Sequence, residues 1–140
     1  MTRQEAYKEL ENYMVKIKEL GIECKKRIGI TRDKYPNAYG YELYIDNKHI
    51  GSIYVEKNNH EKKQWFIEMW CESYVTVYNE YIIKKIEDKI EIENNLRYTT
   101  NFTKYYYTLD DYLNALNNLW LITKTALNKI KEIKMLKDFE

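Results

Sequence analysis

The first twenty residues of the chain alternate between apolar and polar positions with the period of an α-helix. The apolar residues repeat every three or four positions, and they are Ala6, Tyr7, Leu10, Met14, Ile17 and Leu20. Thr2 and Glu5 have the spacing of a capping box, in which a threonine hydroxyl accepts a hydrogen bond from a helix amide. Gly21 tolerates the left-handed conformation that ends many helices. The pattern predicts an amphipathic helix between Thr2 and Gly21.

From Tyr39 the period changes to two, which is the period of a β-strand. One predicted face holds Tyr39, Tyr41, Leu43 and Ile45, and the opposite face holds Gly40, Glu42, Tyr44 and Asp46. A turn at residues 46–48 leads into a second alternating stretch at 49–56, which predicts a β-hairpin. Residues 64–72 alternate again and predict a third strand. Trp65, Ile67, Met69 and Cys71 share one face of that strand, and Phe66, Glu68, Trp70 and Glu72 share the other.

The pattern of the middle of the chain is less regular. Residues 74–78 are β-branched and aromatic, so they are expected to extend the sheet. Ile82, Ile83, Ile86 and Ile90 then return to helical spacing and predict a middle helix from about 79 to 92. Residues 96–108 are rich in threonine and aromatic side chains, which is typical of one strand or a short hairpin.

A long C-terminal helix is predicted to begin at Thr108. Its apolar stripe is Leu109, Tyr112, Leu113, Leu116, Leu119, Trp120, Thr123, Leu127 and Ile130. At 1.5 Å per residue this helix is about 42 Å long, which exceeds the diameter of a domain of this size. It is therefore expected to kink, to project, or to pack on a second copy as a homodimer. The sequence as a whole predicts one α+β domain over residues 1–140, with an N-terminal helix, an antiparallel β meander of three to five strands, the middle helix, and the C-terminal helix packed on the sheet.

Three consecutive tyrosines precede this last helix. If Thr108 is the N-cap, Tyr107 and Tyr112 have the spacing of a hydrophobic staple, which directs Tyr107 inward. Tyr105 shares a strand face with Tyr107 and is expected to point inward as well. Tyr106 is then expected to face outward, where it is available to a partner.

Composition and charge narrow the function classes. The chain has 23 basic and 22 acidic residues, so it has no overall field that would draw it to DNA or anionic lipid. No apolar run reaches the roughly 20 residues that span a bilayer, and the N-terminus has no apolar signal-peptide core. Cys24 and Cys71 do not form a close pair, which favours a reducing, cytoplasmic setting. The excess of lysine, isoleucine, asparagine and tyrosine is typical of AT-rich genomes such as those of low-GC bacteria and their phages.

A search for catalytic and metal-binding chemistry predicts neither. The glycines stand alone, which excludes a phosphate-binding loop. His49 and His60 lack metal-ligand spacing, and Cys71 falls on an apolar face where a buried, inert thiol is expected. No catalytic residue, metal or cofactor is predicted, and an enzyme would require acids such as Glu42, Asp46, Glu68 and Glu72 to converge in one cleft.

Protein binding is the favoured interpretation, because tyrosine and tryptophan dominate interface hot spots. The candidate contact residues are Tyr44, Tyr54, Phe66, Trp70 and Tyr106. The expected function is that of a small phage or mobile-element accessory protein. It would inhibit a host defence protein by occupying its surface, as anti-CRISPR proteins do. The question that the sequence leaves open is whether helices cover the second face of the sheet.

Nucleic-acid binding is the alternative. It would combine stacking on strand tyrosines with a basic segment near the first strand. The candidate residues for that function are Lys25, Lys26, Arg27, Arg32 and Lys34.

Overall fold

The structure is a computed structural model that describes residues 1–28, 39–57, 64–72, 74–77, 81–86, 89–94 and 103–138. In chain order its elements are α1 (Arg3–Glu19), β1 (Glu23–Ile28), β2 (Tyr39–Ile45), β3 (Lys48–Lys57), β4 (Trp65–Glu72), β5 (Tyr74–Val77), β6 (Tyr81–Ile86), β7 (Lys89–Asn94), β8 (Thr103–Tyr106) and α2 (Leu109–Asp138). Of the residues named above, Arg32, Lys34 and His60 lie outside the described residues.

Two antiparallel sheets organise the strands. The larger sheet has five strands in the order β1-β2-β3-β4-β8, and the smaller has three in the order β5-β6-β7. Apolar side chains of α1, α2 and the inward faces of β2, β3 and β4 form one buried cluster. Both described helices therefore lie on the same face of the five-stranded sheet. This arrangement confirms the predicted α+β class, with an N-terminal helix and a long C-terminal helix packed on antiparallel strands.

The predicted start and end of α1 are confirmed. The Thr2 hydroxyl accepts a hydrogen bond from the Glu5 amide at 3.2 Å and donates one to Glu5 Oε1 at 3.0 Å. Gly21, just beyond the helix, has a φ of 85°. The buried side chains of the helix are Ala6, Leu10, Met14 and Ile17. Their spacing places one apolar stripe against the sheet.

The predicted hairpin is also confirmed. Ile45 pairs with Lys48, so only Asp46 and Asn47 form the turn between β2 and β3. Both turn residues have positive φ, at 47° and 64°. Two successive left-handed residues are the signature of the type I′ turn, whose twist matches that of the flanking strands. Asp46 also accepts a hydrogen bond from Lys124 Nζ at 3.1 Å, which ties the turn to α2.

α2 begins as predicted after Thr108, whose hydroxyl accepts a hydrogen bond from the Asp111 amide at 3.3 Å. It then continues for 30 residues, about 45 Å at 1.5 Å per residue. Thr123 does not interrupt the helix, because its hydroxyl donates to the Leu119 carbonyl one turn earlier at 2.7 Å. α2 contacts β4 and β8 of the larger sheet and all three strands of the smaller sheet. A helix of this length fits the fold because it packs against strands of both sheets.

The predicted middle helix over 79–92 is wrong for the residues that the structure describes. Residues 81–86 and 89–94 instead form the hairpin of β6 and β7. Its register pairs Ile83 with Ile92 and Lys84 with Glu91. Isoleucine is β-branched and favours strands. The isoleucine spacing fitted a helix, but the residue types fit a strand better.

In the part of the chain that the structure describes, no helix has both the length and the apolar content that a membrane span requires.

Candidate interaction face of the sheet

The five-stranded sheet has a face that points away from α1 and α2, which we call the outer face. One row of cross-strand neighbours on this face is Lys25, Glu42, Ser52, Trp70 and Tyr105. Because side chains of neighbouring strands lie about 5 Å apart in such a row, the outer face forms one continuous surface across all five strands. In the part of the chain that the structure describes, α1 and α2 both pack on the opposite face and do not cover the outer face.

A β-bulge at Ile50 shapes the centre of the outer face. Tyr44 pairs with His49 but Leu43 pairs with Gly51, so Ile50 is the extra residue. In a regular strand His49 and Ser52 would point to opposite faces, because they are three residues apart. The bulge sends Ile50 into the core and leaves His49 and Ser52 on the same face, with His49 Nε2 and Ser52 Oγ 3.1 Å apart.

Aromatic rings surround His49. Its ring lies 5.3 Å from that of Tyr44 and 5.5 Å from that of Trp70, the latter edge-on at 88°. Lys25 Nζ lies 4.4 Å from the centroid of the Tyr44 ring. These distances are in the range of aromatic and cation–π attraction. The contacts hold the rings in place on the sheet, so a partner that docks here immobilises few additional side chains.

Glu42 organises the polar part of the outer face. It accepts hydrogen bonds from the Tyr44 hydroxyl at 3.0 Å, the Tyr54 hydroxyl at 3.4 Å and Arg27 Nε at 3.3 Å. Burial raises the pKa of Glu42, but the hydrogen bonds from Tyr44 and Arg27 outweigh it, and the net pKa lies below the ordinary value. The carboxylate therefore stays ionised and fixes both tyrosine rings.

The predicted protein-contact residues Tyr44, Tyr54, Phe66 and Trp70 all lie on the outer face. Phe66 is 41% exposed, and the other three are half-buried. The structure thus brings four of the five candidates onto one surface.

The fifth candidate, Tyr106, is not on the outer face, and the predicted orientations of the three consecutive tyrosines are wrong. Tyr106 pairs with Met69 and packs on the core beside Tyr112, with ring centroids 5.7 Å apart. Tyr105 pairs with Trp70 on the outer face and is 50% exposed, and Tyr107 is 93% exposed. The staple does not form because α2 folds back over the core face, where Tyr106 is the residue that meets Tyr112.

The predicted basic segment is divided between two faces. Lys25 and Arg27 lie on the outer face, whereas the intervening Lys26 points to the α1 side. Lys26 Nζ lies 3.5 Å from Glu11 Oε1 and 4.7 Å from the Tyr39 ring centroid. The three described basic residues therefore do not form one patch.

Among the residues that the structure describes, acidic side chains outnumber basic ones on the outer face. The acidic residues on it are Glu23, Glu42, Glu56, Glu68 and Glu72, and the basic ones are Lys25 and Arg27. Two of the acids are close neighbours: Glu68 pairs with Tyr54, and Glu56 pairs with Phe66 one step along the same face. Burial, together with the nearby Glu68 carboxyl, raises the pKa of Glu56 to about 7.

We expect Glu56→Gln to stabilise the protein at pH 8 but not at pH 4. The folded pKa of Glu56 is raised from 4.5 to about 7, so the folded state binds this proton more tightly than the unfolded state. The resulting stabilisation is present at low pH and is lost as the pH rises through about 7. Glutamine imitates the protonated carboxyl at every pH. Urea unfolding at both pH values measures the difference between variant and wild type.

Glu132→Gln is the matched control, since it removes an exposed carboxylate from α2, whereas Glu56 lies in β3. The interpretation of the Glu56 and Glu68 pair is contradicted if Glu56→Gln is no more stable than wild type at pH 8.

The surroundings of Ser52, Cys71 and Cys24 bear on nucleophilic chemistry. Ser52 is 2% exposed, so its hydroxyl beside His49 is not open to a substrate. Burial raises the pKa of the Cys71 thiol to about 12 and that of Cys24 to about 11, which leaves both in the unreactive form. Among the described side chains, no group of three or more His, Cys, Asp or Glu residues is placed to hold a metal ion.

No protein-family model matches this chain, and comparisons with curated proteins and with solved structures also give no match.

Several residues of the outer face were missed by the sequence analysis. Gly51 within a strand was the available signal for the bulge that places His49, because an isolated strand glycine often marks one. The Glu56 and Glu68 pair had no comparable signal, since it depends on the register of β3 against β4.

Proposed function

We propose that the protein is a non-enzymatic module that binds another protein through the outer face. The observation that carries this proposal is the continuous row of preordered side chains from Lys25 to Tyr105, with Trp70 near its centre. Rigid aromatic residues in the middle of a surface are the usual energetic anchors of a protein interface. Holding them in place before binding reduces the entropy that association costs.

A protein partner is favoured over a nucleic acid by the charge of this face. The phosphate backbone requires basic groups, and Arg27 is already engaged by Glu42 at 3.3 Å. The remaining carboxylates would repel phosphate and would attract lysine or arginine. The partner that fits best is therefore a protein with a basic surface.

An inhibitory role is the finer form of this proposal. A module without a catalytic centre alters a partner by covering its surface, which is how an anti-CRISPR protein or another phage or mobile-element accessory protein blocks a host enzyme. The AT-biased composition supports that origin. The free thiols of Cys24 and Cys71 support a reducing, cytoplasmic site of action.

The test is affinity capture from the lysate of a low-GC bacterium, followed by mass-spectrometric identification and a binding measurement with the purified partner. Tyr44→Ala combined with Trp70→Ala should weaken binding by about a hundredfold or more, because each truncated hot spot costs about 2 kcal/mol or more. Circular dichroism and thermal unfolding establish that the variant is folded.

The control is Val15→Ala combined with Leu121→Ala, which truncates exposed apolar side chains of α1 and α2 away from the outer face. This variant should bind the partner with unchanged affinity. If the Tyr44 and Trp70 variant is folded and binds as tightly as wild type, the outer face is not the interface. Capture of DNA or RNA that weakens steeply with salt and on neutralising Lys25 and Arg27 would favour the alternative function.

A further inference from the structure

A groove of about 660 Å³ lies between β8 and α2. Tyr105, Tyr106 and Tyr107 line its strand side, and Asn114 and Asn118 line its helix side. In the described sheet β8 is the edge strand. The groove runs along this edge, so side chains from both faces of β8 border it, which is why all three consecutive tyrosines line the groove. The groove is distinct from the centre of the outer face, which Tyr44, His49 and Trp70 form.

The dimensions of the groove match an extended peptide. Its helix wall runs from Asp111 to Ile122, which is about 16 Å at 1.5 Å per residue. An extended chain rises about 3.3 Å per residue, so about five residues fill that length. Because the groove follows β8, a peptide in it would lie along a strand, as in recognition by strand addition.

The two asparagines have a spacing that suits a peptide backbone. Asn114 and Asn118 are one helical turn apart and both are exposed, which places their Cβ atoms about 6 Å apart. Equivalent groups of an extended peptide repeat every two residues, or about 6.6 Å. An asparagine side chain both donates and accepts hydrogen bonds, so each amide can meet a peptide N–H or C=O group.

The charged side chains that line the groove indicate which peptide side chains it would favour. Asp111 lines one end of the groove, and Glu72 and Lys104 line it as well. Lys104 Nζ already lies 5.5 Å from the centroid of Tyr106. Glu72 Oε2 is buried and has no hydrogen-bond partner in the described part of the chain. The acidic groups and the exposed Tyr107 ring together favour a cationic side chain, through charge and cation–π attraction.

We propose that the groove between β8 and α2 binds an extended peptide segment of about five residues that carries a lysine or arginine. This site goes beyond the outer-face function and does not depend on it.

The probe is a random ten-residue peptide library displayed on phage, selected against the wild-type protein. Enriched peptides should contain lysine or arginine, and their affinity is then measured by isothermal titration calorimetry. Asn118→Trp fills the groove, and Asn114→Ala combined with Asn118→Ala removes both amides without adding bulk. Each change should weaken binding of the enriched peptides about tenfold or more, because the milder variant removes the hydrogen bonds of both amides and Asn118→Trp obstructs the groove.

Asn117→Trp is the matched control, because Asn117 is exposed on the same helix but does not line the groove. It should leave peptide affinity unchanged, as should the outer-face substitution Tyr44→Ala. The proposal is overturned if the library yields no enriched peptide, or if the peptides bind folded Asn118→Trp as tightly as wild type. Either result leaves the outer-face experiment unaffected, so the two proposals fail separately.

Discussion

Replacing Tyr112 with alanine should lower the free energy of unfolding by about 4 kcal/mol, the cost typical of removing a large buried ring. Tyr112 is 0% exposed and lies between α2 and the sheet. Its hydroxyl donates to the Trp70 carbonyl at 2.9 Å and lies 3.3 Å from the Ser52 carbonyl. Tyr112 is therefore the side chain that joins the first turn of α2 to β3 and β4.

Two further variants separate the parts of this effect. Tyr112→Phe keeps the ring and removes only the hydroxyl, so it should cost about 1 to 2 kcal/mol. Tyr107→Ala removes a 93% exposed ring and should change stability by less than about 0.5 kcal/mol. Urea unfolding followed by circular dichroism measures all three. A loss below about 1 kcal/mol for Tyr112→Ala would contradict the described docking of α2 on the sheet.

Gly40→Ala should destabilise the protein by about 3 kcal/mol, which is at the upper end for overpacking in a core. A Cβ atom at this position would overlap the Ile53 carbonyl oxygen and Cδ1 of the Tyr54 ring. The glycine is required because Tyr54, its cross-strand neighbour, lies over it and extends towards Glu42. A side chain at residue 40 would have to displace the strand or the ring.

Gly40→Ala should also alter the arrangement of side chains on the outer face. If Tyr54 is displaced, Glu42 loses one of its hydrogen bonds, and binding of the captured partner should weaken together with stability. Lys57→Ala, at the exposed end of β3, is the control and should alter stability by less than about 0.5 kcal/mol. Thermal and urea unfolding of both variants provide the comparison, and a Gly40→Ala protein as stable as wild type would show that β2 and β3 are farther apart than described.

The order of α1, β2, β3 and β4 was predictable because local chemistry specifies it. Thr2 and Gly21 bound the first helix through cap geometry, which involves only neighbouring residues. The Asp46–Asn47 turn similarly sets the hairpin register from the conformations of two residues. Thr108 marks the start of α2 for the same reason as Thr2 marks that of α1.

The spacing of the apolar residues could not distinguish a middle helix from two strands. Isoleucines at 82, 83, 86 and 90 fit one face of a helix, but isoleucine is also common in strands. What favours strands is the backbone pairing of residues 81–86 with 89–94. That pairing releases free energy only when both segments lie side by side. The spacing of apolar residues within one segment carries no information about this pairing free energy.

Some features of the outer face were likewise predictable from local sequence patterns, and others depended on contacts between distant segments. Its tyrosines and Trp70 were identifiable because strand alternation is a local property that sends every second side chain to one face. The sequence alone thus established the ends of α1, the hairpin turn and the start of α2, and it predicted the shared sheet face of four of the five candidate residues. His49 belongs to the outer face because of the bulge at Ile50. Glu56 lies close to Glu68 because of the register of β3 against β4. Tyr105 lies on the outer face in place of Tyr106 because α2 packs over the core face. These features depend on contacts between residues distant in the chain, so they are defined only when the sheet and helices pack together.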